Sequence, residues 1–141
     1  MSEADVLLGL SVVQPWASAV ALYRADLINR PRPLPAKHLG CRVAIVAASY
    51  RDTFRETVER RRFRAHAGVT LPEDLPRGCI VAVARLVGCV EVSASPWFDG
   101  PFGWLVEDVH AVSPLPYSGF GKPHTLPHDV ANTLRARLLA E

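Results

Sequence analysis

The chain has 141 residues, 49% of them hydrophobic and 21% charged, with a formal net charge of +2. That balance suits one globular domain over residues 1–141, and +2 is too weak to mark a nucleic-acid binder by itself. No apolar run approaches the roughly 18 residues of a membrane span. Met1-Ser2-Glu3-Ala4-Asp5 is acidic where a signal peptide is basic, so the expectation is a cytoplasmic protein without a membrane partner.

Val6–Val13 is apolar and rich in β-branched residues, which predicts a first strand. The run Ser11-Val12-Val13-Gln14-Pro15-Trp16-Ala17 then leads into a helix predicted over Trp16–Asp26, with Pro15 at its first position. Ala17, Val20 and Ala21 give that helix a loose apolar stripe. Gln14 and Trp16 flank its N-terminus, where free backbone N–H groups favour polar or anionic ligands. Two readings stand: an amide, an aromatic plane and donors gathered as a ligand site, or Trp16 as a core anchor and Gln14 as a satisfied turn residue.

Pro31, Pro33 and Pro35 forbid a helix, so Pro31–Lys37 is expected to be extended. Arg42–Ala48 is apolar almost throughout and predicts a strand covered on both faces. Arg51–His66 is the clearest helix, with Glu56–Arg60 and Arg55–Glu59 spaced for i, i+4 pairs. Phe54, Val58 and Ala65 give it a narrow apolar face. Its six arginines face three acids, which reads either as a solvated surface or as a phosphate-contacting one built from Arg60, Arg61 and Arg64.

Cys79–Val92 is long enough for one bent strand or two, with Gly88 as a bulge. Arg85 interrupts that run and suits either a cleft or a rim. Ser93–Gly103 is a loop carrying Trp97 and Phe98, and Trp104–Val112 is a strand. Glu107 and Asp108, adjacent on a strand, point to opposite faces and make no acid–base pair. Pro114–Pro127 is irregular, and Pro127–Glu141 predicts a closing helix with Leu134, Leu138 and Leu139 toward the core.

The three cysteines, Cys41, Cys79 and Cys89, lack the short paired spacing of a zinc site or disulfide framework. Cys79 and Cys89 read as small buried hydrophobes. His124 and His128 are four apart, but Pro127 between them opposes a shared helical face. No nucleophile elbow or phosphate-cradling glycine loop is present. No metal and no cofactor is expected.

Ser11, Gln14-Pro15-Trp16-Ala17, Asn29-Arg30 and Gly40 with Arg42-Val43-Ala44-Ile45 together resemble the opening of the ASCH (ASC-1 homology) family. Pro76-Arg77-Gly78-Cys79-Ile80-Val81-Ala82-Val83-Ala84 and Phe102-Gly103-Trp104-Leu105-Val106-Glu107-Asp108-Val109 are similar to its later strands, in family order. The resemblance implies an α+β fold, a PUA-like small mixed β-barrel with flanking helices. It also implies a cleft beside the first helix that takes single-stranded RNA or a modified nucleoside, with Ser11, Gln14, Trp16, Asn29 and Arg30 as its binding residues. The alternative it implies is an enzyme, either an amidohydrolase of N4-acetylcytidine-type nucleosides or a ribonuclease. Ala25 and Ile28 stand where the family's helix, matched here by Tyr23–Arg30, carries lysine and glutamate or threonine. Val46 stands where a polar residue is usual. These departures favour a binding module with no catalytic residue, or a partner-binding domain whose cleft has lost its ligand.

Overall fold

The computed structural model describes residues 7–140; the acidic N-terminus, Val6 and Glu141 lie outside the described residues. The elements are β1 (Leu7–Val12), α1 (Trp16–Leu22), β2 (Leu27–Arg30), β3 (Arg42–Ala47), α2 (Thr53–Ala67), β4 (Cys79–Val90), β5 (Phe102–Pro116), β6 (His124–Thr125) and α3 (His128–Ala140). They build an α+β fold around one mixed sheet of order β2-β5-β4-β3-β1-β6. β1 and β3 run parallel, and the other neighbours are antiparallel. β1 approaches β6 so closely at Gly9 that a Cβ there would lie 2.8 Å from the His124 ring.

β3 sits between β4 and β1, and its continuous apolar run is covered on both faces as its pattern predicts. Val43, Ile45 and Ala47 pack with Ala17, Ala19 and Val20 of α1 and Phe63 of α2. Ala44 and Val46 pack on the other face with Ala131 and Leu134 of α3. Phe63 is fully buried. It stacks on Trp97 at 5.5 Å and meets Tyr23 edge-on at 5.2 Å. Burying a phenylalanine side chain contributes about 2–3 kcal/mol.

The expected closure into a barrel does not occur. β2 and β6 are the two edges of an open sheet. Both edge strands are too short to pair with one another. Pro31 ends β2 after four residues, and β6 has two residues between Pro123 and Pro127. Proline has no N–H to extend a ladder.

Other expectations are corrected locally. α1 stops at Leu22, because the chain turns at Arg24 with φ of 62° and then pairs Leu27–Arg30 with β5. Residues 27–30 are therefore strand, not helix. Ala36–His38 forms one 3-10 turn within the otherwise extended proline segment. β4 is one strand whose register against β5 shifts three times. Asp108 takes φ of 53°, so alternation fails there and Glu107 and Asp108 are both exposed. Cys89 and Leu139 are also exposed, whereas Cys79 is buried.

α2 docks by an unexpected face. Phe54, Val58 and Ala65 point to solvent, and the buried residues of the helix are Phe63 and Glu56. Asp52 caps its start by accepting from the Arg55 N–H at 3.0 Å, and Gly68 ends it in the left-handed region at φ 74°. The Glu56 carboxylate accepts from Arg77 at 2.7 Å, Arg60 at 3.0 Å and Arg51 at 3.4 Å. Burial pushes this carboxyl up. The hydrogen bonds from Arg60 and Arg77 and the charges of Arg77 and Arg51 outweigh that and hold it below the ordinary carboxylate range.

Removing one partner of a buried ion pair costs about 3 kcal/mol. Glu56→Gln should therefore lower the unfolding free energy at pH 7 by about that amount in urea denaturation. The folded carboxyl titrates below its unfolded value of about 4.3. Its contribution is complete above that pH and is lost as pH falls through the folded value. The gap between wild type and variant should narrow on acidification below about pH 4. An equal gap at both pH values would show that Glu56 acts through packing alone.

Candidate functional site

Where β2 fails to meet β1 and β6, a cleft of about 910 Å³ opens. Its walls come from the end of β1, the start of α1, all of β2, the residues after β3, one face of α2, and the loops at 99–101 and 118–121. Buried Ile28 and Val46 contribute to its lining. Ala25 is buried outside it. The two wall positions where the ASCH resemblance leads one to expect polar groups are thus apolar.

Of the five candidate binding residues, Ser11, Trp16, Asn29 and Arg30 line this cleft. Gln14 does not. Its amide is buried and used within the fold: Nε2 donates to Ser18 Oγ at 2.9 Å and to the Pro76 carbonyl at 2.8 Å, and Oε1 accepts from the Ser18 N–H at 3.0 Å. Asn29 reaches the wall, but its amide is equally committed. It donates to the Trp97 carbonyl at 2.9 Å and accepts from the N–H groups of Asp99 and Gly100 at 2.8 and 3.0 Å. Asn29 therefore shapes the 97–100 loop.

Arg30 has a different environment. Its guanidinium donates to the Ser11 carbonyl at 3.3 Å and to the Gly121 carbonyl, and lies over the Trp104 ring at 5.3 Å. Its Nε is buried without a hydrogen-bond partner. No carboxylate pairs with it among the described residues. Burial lowers its pKa, yet an arginine stays protonated.

Trp16 is held by α2. Its indole N–H donates to Glu59 at 3.0 Å, and the Arg62 guanidinium covers one ring face at 5.3 Å. Arg62 also lies 3.7 Å from Glu59 and 3.9 Å from Asp99. The expected Arg55–Glu59 pair is replaced by these contacts, while Glu56–Arg60 forms as its spacing predicts. Arg55 lines the cleft with no ion pair or side-chain hydrogen bond among the described residues. The hydroxyls of Ser11, Ser49 and Tyr50, also on the wall, make no hydrogen bond among the described residues.

The other candidate arginines lie elsewhere. Arg60 is occupied by Glu56 and by the carbonyls of Pro72 and Glu73 at 2.8 and 2.9 Å. Arg61 and Arg64 are exposed on a side of α2 away from the cleft wall. The α2 residues that reach the wall are Arg55, Glu59 and Arg62, spaced four and three apart. That spacing was visible in the sequence; which face turns inward was not. Among the described residues, no group of three histidines, cysteines or acids could hold a metal ion. His124 pairs with the Tyr117 hydroxyl at 2.7 Å and His128 with Asn132 at 3.1 Å. No helix among the described residues is long and apolar enough to cross a membrane.

No protein-family model matches the sequence. No curated protein matches it significantly either. Solved structures do. A crystal structure of ASCH from Zymomonas mobilis is 15% identical, with 94% of this chain and 95% of that chain covered and a TM-score of 0.56. A serine-to-alanine mutant of the Zymomonas mobilis protein matches at 14% identity over 94% and 96% of the two chains, with a TM-score of 0.55. A tyrosine-to-phenylalanine mutant matches at 15% identity over 92% and 96%, also with 0.55. The fold is that of ASCH proteins. At such identities the likeness concerns architecture, and within the ASCH fold of this chain the residues of the wall carry any further argument.

Arg30 is the link across the open side of the sheet. Arg30→Met keeps much of the packing on Trp104 but strands the Ser11 and Gly121 carbonyls. A hydrogen bond from a charged donor contributes about 1.5–3 kcal/mol. The variant should lose stability on that scale in chemical denaturation, with faster amide exchange at Ser11 and in residues 118–121. Unchanged exchange there would show that the edges are held by other contacts.

Proposed function

We infer that the cleft binds one unpaired nucleotide of single-stranded RNA, or a modified nucleoside. The observation that carries this reading is the pair of cleft guanidinium groups, Arg30 and Arg55, that form no ion pair among the described residues. Glu59 and Asp99, the two acids of the wall, both lie beside Arg62, so the three wall arginines exceed the acids by one charge and neither Arg30 nor Arg55 is ion-paired among the described residues. A net positive wall with two arginines outside any ion pair favours an anion, and guanidinium groups match phosphate in shape.

The remaining wall suits a base and sugar. About 910 Å³ is within the range of small-molecule sites. The Trp16–Arg62 stack supplies a planar surface, and unpaired bases in RNA are commonly held on aromatic or guanidinium planes. The hydroxyls of Ser11, Ser49 and Tyr50, unbonded among the described residues, can both donate and accept, as base edges and ribose require. Gln14 and Asn29 do not belong to this set, since the fold uses their amides.

The same wall favours binding over the amidohydrolase and ribonuclease readings. Both hydrolyses need a positioned base and a group that stabilises the developing charge. Among the described lining residues there is no lysine, histidine or cysteine. Glu59 is engaged by Trp16 and Arg62, Asp99 lies 3.9 Å from Arg62, and Ile28 and Val46 bring no proton-transfer group.

Calorimetry with the four nucleoside 5′-monophosphates, and anisotropy with a labelled ten-nucleotide RNA, test this reading. Binding should be saturable at low salt. Arg55→Gln should weaken it about tenfold, the value of one charge-assisted hydrogen bond, without changing stability. Affinity unchanged in Arg55→Gln, or no binding of either probe by the wild type, would overturn it.

A further inference from the structure

The outer face of α2 is unusual, because the apolar residues that should dock the helix are the ones exposed. Phe54 is 81% exposed and Val58 47% exposed, and Tyr50 just before the helix is 67% exposed. Phe54, Val58, Arg61 and Ala65 follow at steps of four, three and four, so they share one face. Tyr50 and Arg55 at the near end also line the cleft, so this face is continuous with it.

The charge on this face is uncompensated. The segment from Arg51 to Arg64 has six arginines and three acids. Asp52 caps the helix, Glu56 takes Arg51 and Arg60, and Glu59 takes Arg62. Arg55, Arg61 and Arg64 are left without an ion pair among the described residues. Arg55 borders the stripe on the cleft side, Arg61 lies within it, and Arg64 borders it on the other side. From Phe54 to Arg61 the helix rises about 10 Å. The apolar face is flanked by Arg55 and Arg64, carries Arg61 within it, and begins with two exposed aromatic rings.

We propose that the ligand is a polymer: a single-stranded nucleic acid whose chain leaves the cleft past Tyr50, stacks a base on Phe54 and crosses α2 to place phosphates on Arg61 and Arg64. The proposal rests on the cleft reading given above and narrows it from nucleoside or strand to strand. Aromatic rings interleaved with arginine suit this ligand because every base has a stacking face and every linkage carries one negative charge. It also gives the exposed phenylalanine an occupant, where an isolated apolar patch would favour association.

The test compares a 5′-fluorescein-labelled, mixed-sequence ten-nucleotide RNA with the four nucleoside 5′-monophosphates. Phe54→Ala should weaken the decamer by roughly 5- to 100-fold, the effect of losing one stacked base, and leave the monophosphates unchanged. Arg61→Gln with Arg64→Gln should flatten the slope of log K against log salt by about 1.4, the release from two phosphates on a single strand. These side chains are exposed, so melting temperatures should match the wild type. Decamer affinity and salt slope unchanged in both variants, while Arg55→Gln still weakens both probes, would overturn the path and leave the cleft reading standing. Failure of the wild type to bind either probe would overturn both. A concentration-dependent dimer in light scattering that Phe54→Ala disperses, with decamer affinity unchanged, would assign the stripe to a second copy of the chain and overturn the path.

Discussion

The guanidinium of Arg30 joins two sheet edges that have no backbone ladder between them. β2 is four residues long and β6 two, and prolines bound both against extension. The open side would expose the Ser11 and Gly121 carbonyls, and Arg30 satisfies both. One side chain thus replaces the hydrogen bonds that closure would have made. The consequence is a cleft, because a side-chain link holds edges at a distance that a backbone ladder would close to about 5 Å. The same link places a positive charge on the wall, held by carbonyl oxygens and the Trp104 ring.

The second constraint fixes α2 against α1. Segment 72–77 is held from two sides: Arg60 and Arg77 tie it to Glu56, and Gln14 donates to the Pro76 carbonyl. Gln14 also caps the start of α1 through Ser18. A buried amide and a buried carboxylate therefore determine how far Trp16 stands from Glu59 and Arg62. Their polar groups are used in positioning, which is why neither is available to a ligand. Among the described residues, the cleft takes its free groups from side chains with spare capacity: hydroxyls that make no hydrogen bond and arginines that no acid pairs.

This explains what the sequence disclosed and what it withheld. β3, α2 and α3 were legible because a continuous apolar run and long helical periods survive any packing. Closure of the sheet was not, since it depends on the length of edge strands, and four- and two-residue strands carry almost no pattern. The strand character of Leu27–Arg30 was hidden by the helix before it, and the turn at Arg24 has no glycine to announce it. In the site, Ser11, Trp16 and Arg30 were legible from their place around α1 and the resemblance. Gln14 was chemically plausible, but its amide is used by Ser18 and by the Pro76 carbonyl, a partner 62 residues away that the sequence could not show. Arg55 and Arg62 were passed over for Arg60, Arg61 and Arg64 because the rotation of α2 could not be read from its arginines.

The rotation of α2 follows from energetics rather than from its apolar stripe. With Phe54 and Val58 inward, the helix would bury about 2–3 kcal/mol worth of each side chain. It would then lose the Phe63 contacts to Trp97 and Tyr23, which give burial and about 0.5–1.5 kcal/mol per aromatic pair. It would also turn Glu56 away from Arg77, breaking the clamp on segment 72–77. Phe63 and Glu56 act together here, because their directions on the helix differ by about 20° (seven residues at 3.6 per turn). The narrow stripe at 54, 58 and 65 lies on the far side of the helix from both. One docking face excludes the other, and two exposed apolar side chains are the residue of that choice.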